Sequence, residues 1–208
     1  MQSHGSQDLY PTMLENELDF SADKITVTQT VASLGAILGG TLVGYSSQMF
    51  GRRLSILVVC VVGLGLLYTY CFTRSDAVIA AAFWEQFCVQ GAWGVVPIHL
   101  VELSPSSART TIVGTAYQLG NLASSASSTI EATIGERFRL SDSSKGDKRY
   151  DYGKVMFIFM ACVFAYVILL VFIGPERMGR DMADAPEGGE FSEEWEEKSK
   201  KQGPVEKV

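Results

Sequence analysis

The sequence predicts an all-α membrane protein, and three observations carry that prediction. Residues 54–72 and 155–174 are apolar runs that reach the roughly 20 residues a helix needs to cross a bilayer. The glycines of residues 25–49, namely Gly35, Gly39, Gly40 and Gly44, recur at helical spacing, a pattern that lets membrane helices approach closely. Between the apolar runs lies TTIVGTAYQLGNLASSASSTIE, residues 110–131, which has the length of a span but carries Gln118, Asn121 and a run of serines. Mean hydropathy is only +0.16, because polar ends dilute the apolar middle.

The first element is a partial span over about residues 1–14, MQSHGSQDLYPTML. As a helix it stacks His4 and Asp8 at i and i+4, with Gln7 within a turn of both. Pro11 then disrupts or kinks it. On spacing alone, the stretch reads as an ordinary polar tail ahead of the first span. Residues 15–24 form a short acidic connector, and 25–49 the first full span. Gly51-Arg52-Arg53 follows, a tight turn whose arginines favour the cytoplasmic side. The span over 54–72 and a turn at 73–76 come next.

Residues 77–101 form a span containing Glu85, Gln86, Gln90 and His99, with Pro97 kinking its end. An ionisable residue at the depth of Glu85 faces the bundle interior, pairs with something, or stays protonated. A pairing or packing role weighs equally with a transport role. Residues 102–109, from Glu102 to Arg109, make a second charged turn. The polar helix 110–131 survives in lipid only beside other helices or facing water, so it reads as the wall of a solute pathway. Close packing of small residues is the competing reading. It explains the serines but not Gln118 and Asn121. Residues 135–154 form a hydrophilic loop, and 155–174 the last span. Residues 175–208, with Glu193, Glu194, Glu196 and Glu197, are expected to be a disordered acidic tail; a short docking helix at Trp195 is the minor alternative.

Several classes are excluded. Net charge is −6, which gives no basis for nucleic-acid binding. Cys60, Cys71, Cys88 and Cys162 form no CxxC pair, so neither a structural metal nor a disulfide framework is expected. There is no secretory signal, nucleotide-binding glycine loop or nucleophile elbow. Neither an enzyme nor a cofactor is expected. Parity of the spans puts the Arg52/Arg53 turn, the Arg109 turn and the tail on one side. The connector, the 73–76 turn and the long loop share the other.

Two sets of residues resemble known proteins. Gly44-Tyr-Ser-Ser-Gln-Met-Phe-Gly-Arg-Arg53 resembles the loop motif of the major facilitator superfamily. Gln48 and Met49 replace its acidic–basic pair, which weakens the case for the usual gating salt bridge. That motif is cytoplasmic in the superfamily and sets the orientation, although Arg137, Arg139, Lys145, Lys148 and Arg149 in the long loop count against it.

Ser3-His4-Gly5-Ser6-Gln7-Asp8-Leu9-Tyr10-Pro11-Thr12 is similar to the helix 7 signature of the fungal lactate/pyruvate:proton symporters, the Jen-type monocarboxylate permeases. Phe83–Phe87, Gln90–Gly94, Tyr117–Asn121 and Ser124–Glu131 continue the similarity. It implies the C-terminal half of a 12-helix bundle: part of helix 7, then helices 8–12. The asparagine that opens the signature would lie ahead of Met1, so the N-terminal half is expected to be a missing partner.

The resemblance implies co-transport of a monocarboxylate anion and a proton across the plasma membrane, with the C-terminus cytoplasmic. His4 and Asp8 would be the proton-coupling pair, since imidazoles titrate near neutrality. Ser3 and Gln7 would orient them, and Gln118 and Asn121 would face the same cavity and hydrogen-bond the anion. Gly44, Gly51, Arg52, Arg53, Glu102 and Arg109 would be structural or gating residues. No arginine lies mid-span, so the cation that pairs with the anion is expected in the other half. Two alternatives stand beside this: a non-transporting truncated fragment, and a sugar or sialic-acid porter, which the 102–109 turn alone would fit.

Overall fold

The computed structural model describes residues 2–105, 108–135, 137–138 and 150–176, without the side chains of Gln2 and Ser128. The expected acidic tail, with Trp195, lies outside the described residues from 177 onward, as does most of the long loop. Among the described residues eight helices run in chain order: α1 (Gln2–Gln7), α2 (Tyr10–Leu18), α3 (Ala22–Phe50), α4 (Arg52–Phe72), α5 (Ala77–Leu103), α6 (Arg109–Ser124), α7 (Ser127–Gly135) and α8 (Tyr152–Ile173). Three of them, α3, α4 and α8, are long and apolar enough to cross a membrane. Their outward residues, among them Leu34, Ile37, Leu42, Val58, Val61, Leu169 and Phe172, are exposed. Such a surface suits hydrocarbon rather than water.

α3 and α5 make the tightest pair. Gly35 and Gly39 bring the backbone of α3 against the carbonyls of Phe83 and Phe87, and Gly94 does the same against Gly40. A Cβ at Gly39 would overlap the Phe87 carbonyl oxygen. The small-residue spacing thus selects α5 as the neighbour of α3. α4 packs on α5 and α8, where Gly63 leaves room for Phe164 and Cys88. The core is filled by Tyr10, Met13, Leu14, Ile56, Leu67, Val89, Met156, Met160 and Phe164.

The two ends of the bundle are held by different polar clusters. At one end, α3 starts on Ser21, whose side chain accepts from the Lys24 N–H, and the Lys24 ammonium pairs with Asp76. Nearby, Glu17 accepts from the Gly153 N–H at 2.7 Å and pairs with Arg74 at 2.6 Å. At the other end, Gly51 has φ 94°, so α3 turns directly into α4 at a residue without a Cβ.

Two expected spans differ in detail. The partial first span is two helices, with a break at Asp8–Leu9. Pro11 sits in the first turn of α2, where its missing N–H costs nothing. Residues 110–131 are not one helix either: α6 ends at Ser124 and α7 begins at Ser127. The hydroxyls of Ser124, Ser125 and Ser127 all bond to carbonyls three or four residues back. Such back-bonding competes with the helical ladder and bends it.

Candidate functional site

The polar residues of α1 divide between two faces. His4 and Asp8 stand one turn apart, with Nδ1 and Oδ2 separated by 3.3 Å, and their side chains are 50% and 39% exposed. Ser3, Ser6 and Gln7 point instead toward α5. Gln7 donates to the Gln86 side-chain oxygen at 2.7 Å, Gln86 donates to Ser6 Oγ at 3.1 Å, and Gln90 donates to Ser3 Oγ at 2.9 Å. Tyr70 of α4 donates to the Ser6 carbonyl and stacks on Tyr10, centroids 4.1 Å apart. A ladder of uncharged amides and hydroxyls therefore joins α1 to α5.

Beside this ladder lies a cavity of about 290 Å³ lined by Gln7, Gln29, Ala32, Ser33, Ala36, Ile37 and Gln86. It offers amide and hydroxyl groups from α1, α3 and α5 and no charge. Uncharged donors hold an anion loosely enough for it to leave.

Several sequence expectations change here. Ser3 and Gln7 do not orient His4 and Asp8; they bond to Gln90 and Gln86. Ser3 and Gln7 are four residues apart and share the helix face turned to α5. Gln118 is exposed and Asn121 half-buried, and neither lines this cavity or bonds to α1 among the described residues. The physical reason is that α6 touches the bundle mainly through α5, as where Tyr117 meets Trp93 at 6.0 Å. Gln29 and Ser33 are not among the residues the sequence singled out. Their signal is a polar i, i+4 pair on an otherwise apolar helix face, next to Thr26 and Thr30.

The turn residues named as structural or gating make specific contacts. Arg52 donates from Nε to both Glu102 oxygens at 3.2 Å and from Nη2 to Oε1 at 3.0 Å, while Nη1 donates to Ser47 Oγ at 2.7 Å. Both partners are buried. The turn therefore carries a salt bridge of its own. Its acid comes from the end of α5, 50 residues on, rather than from position 48 of the turn itself. Arg53 donates to the Val171 and Phe172 carbonyls at 2.8 and 2.6 Å, and its N–H to Glu176 at 3.0 Å. The turn thereby clamps the ends of α5 and α8 together. Gly44 adjoins Gly94 on α5, and Arg109 opens α6, half-buried.

Comparison with known proteins agrees with this architecture. Residues 9–203 match the Major Facilitator Superfamily. The chain belongs to that superfamily. Its members are transporters rather than enzymes, and this chain is an all-α integral membrane protein. It is 44% identical over 183 residues to a "Carboxylic acid transporter protein homolog" of Saccharomyces cerevisiae, covering 87% of this chain and 30% of that relative. It also superposes on the inward-open xylose transporter XylE of E. coli with a TM-score of 0.63 at 20% identity, covering 85% of this chain and 45% of that one. That likeness is one of fold.

Proposed function

We propose that this chain forms helices 7–12 of a proton-coupled monocarboxylate transporter, moving a lactate- or pyruvate-like anion together with a proton. The observation that carries the reading is the His4–Asp8 pair, 3.3 Å apart and partly open to water, backed by the uncharged Gln7–Gln86–Ser6 ladder. An imidazole and a carboxylate in contact can pass one proton between them. The identity to a yeast carboxylic acid transporter homolog supports the substrate class. In this reading the anion takes hydrogen bonds from the cavity amides of Gln7, Gln29 and Gln86. The protein sits in the plasma membrane with its C-terminus cytoplasmic, so the Arg52–Glu102 clamp closes the inner end. The clamp then opens and re-forms as the two halves rock about the substrate.

The test is acid-dependent uptake of labelled lactate in a transport-null yeast, with the chain fused behind the N-terminal region of the Saccharomyces cerevisiae relative. Uptake should rise as external pH falls and should be lost in His4→Ala and Asp8→Ala. Normal uptake in both variants overturns the proton assignment. A well-expressed fusion that moves no monocarboxylate overturns the function.

A further inference from the structure

Among the described residues four glutamates are buried: Glu17, Glu85, Glu102 and Glu131. Glu17 is paired with Arg74 and Glu102 with Arg52. Glu85 and Glu131 are fully buried, and neither oxygen of either has a hydrogen-bond partner among the described residues. Glu131 differs from Glu85 in its surroundings. Glu85 lies in the interior, within electrostatic range of Tyr10, Tyr70, Cys71 and Cys88. Glu131 presses against α1 beside the candidate proton pair. A Cβ added at Gly5 would lie 3.0 Å from Glu131 Oε1 and closer still to the Phe159 ring. Gly5 thus leaves the space that this carboxyl and Phe159 occupy. Gly5 neighbours His4 in sequence and lies three residues from Asp8, on the same side of the helix.

We propose that Glu131 is a proton-carrying residue of the transport cycle, exchanging its proton with the His4–Asp8 pair across α1. The inference rests on the proton-symport reading above. Within electrostatic range of Glu131 are Asp8 from α1 and Cys71 from α4, and one turn along, at Gly135, lies Tyr152 from α8. Among the described residues none of them is a cation. An unpaired carboxylate enclosed this way is strongly disfavoured, so the side chain sits here as the neutral acid. When the two carboxyls come within hydrogen-bond reach, which they are not in this structure, the Glu131 O–H bond breaks and an Asp8 carboxylate oxygen takes the proton. Asp8 passes it to His4 Nδ1, and the imidazolium releases it to water. Glu131 is left as a carboxylate against Gly5 and Phe159, with no countercharge. That state drives α7 away from α1, and reprotonation lets them repack. The break between α6 and α7 at residues 125–126 allows α7 to shift without carrying α6. Proton exchange is thereby coupled to helix packing.

Two measurements test this. Infrared spectra of the full chain in lipid nanodiscs at neutral pH should contain protonated-carboxyl C=O absorption, part of which disappears in Glu131→Gln. Glu102→Gln should remove none. In the fusion protein, Glu131→Gln should keep lactate counterflow at the wild-type rate but lose lactate-driven proton uptake and accumulation against a gradient. Glu131→Asp should restore coupling in part, and Glu85→Gln should leave it intact. Wild-type proton coupling in Glu131→Gln, an unchanged infrared band, or loss of counterflow along with coupling each overturns the proposal. A wild-type fusion that moves lactate without protons defeats the symport reading instead, and the infrared band separately decides whether Glu131 holds a proton.

Discussion

Truncating Glu102 to alanine strands the Arg52 guanidinium, 7% exposed, with Ser47 Oγ as its remaining side-chain acceptor. Removing one member of a buried pair costs about 3–5 kcal/mol, because the other charge is left desolvated and unpaired. For a chain of this size about 1 kcal/mol moves the unfolding midpoint by about 2–4 °C, so the expected drop is about 6–20 °C. Arg52→Ala should fall in the same range, since it leaves Glu102 buried without its partner. The double variant Arg52→Met/Glu102→Leu should recover most of the loss, since it removes both desolvated charges and keeps the volume. Lys24→Ala serves as the internal comparison. Its pair with Asp76 is 37% and 84% exposed and is worth at most about 1 kcal/mol. The assay is thermal unfolding of the chain in detergent, followed by tryptophan fluorescence at low and high salt. Salt should blunt the Lys24→Ala effect and leave the Glu102→Ala effect unchanged. A Glu102→Ala shift no larger than that of Lys24→Ala, or a double variant as damaged as the sum of the singles, would refute the reasoning.

Two further outcomes follow from the packing and from the far end of the bundle. Gly39→Val should destabilise by about 1–3 kcal/mol or more, because its side chain meets the Phe87 backbone carbonyl, which cannot yield as a side chain can. Gly65→Ala, with nothing within 4 Å of the added carbon, should gain about 1 kcal/mol of helix propensity. Equal thermal midpoints for the two variants would contradict the backbone-contact account. At the connector, burial pushes the Glu17 carboxyl above its usual range, and the Gly153 N–H and Arg74 offset this only in part. A raised acid contributes stability that is complete below its unfolded value and is lost as pH climbs through the folded one. The midpoint should therefore fall as pH rises past the ordinary carboxylate range, and Glu17→Gln should flatten that slope. A midpoint that rises with pH in the wild-type chain and not in Glu17→Gln is the opposite result.

Part of the site is legible in the residue order alone. His4 and Asp8 meet because four residues is one helical turn, a local rule that needs no tertiary information. The arginines of the 51–53 turn are recognisable by type and position. Gln86 and Gln90 stand out as polar residues in an apolar run, but their partners on α1 lie 80 and 87 residues away. The break at 125–126 is hidden because a serine run suits a packed helix as well as one whose hydroxyls compete for its carbonyls.

What the sequence determined by itself is which segments prefer hydrocarbon and which residues within them are polar. Transfer free energy is a property of each side chain, and it sums along a helix irrespective of neighbours. Which polar residue finds which partner was decided only by the tertiary structure. Register between α3 and α5 is set where their backbones touch, at Gly35, Gly39 and Gly94, and that register brings Arg52, just past the end of α3, to Glu102 at the end of α5. The packing of α7 on α1 and α8 leaves Glu131 enclosed, with no hydrogen-bond partner among the described residues. A glutamate reads alike in sequence whether it will be paired or stranded, because the difference lies in what the opposing helix places beside it.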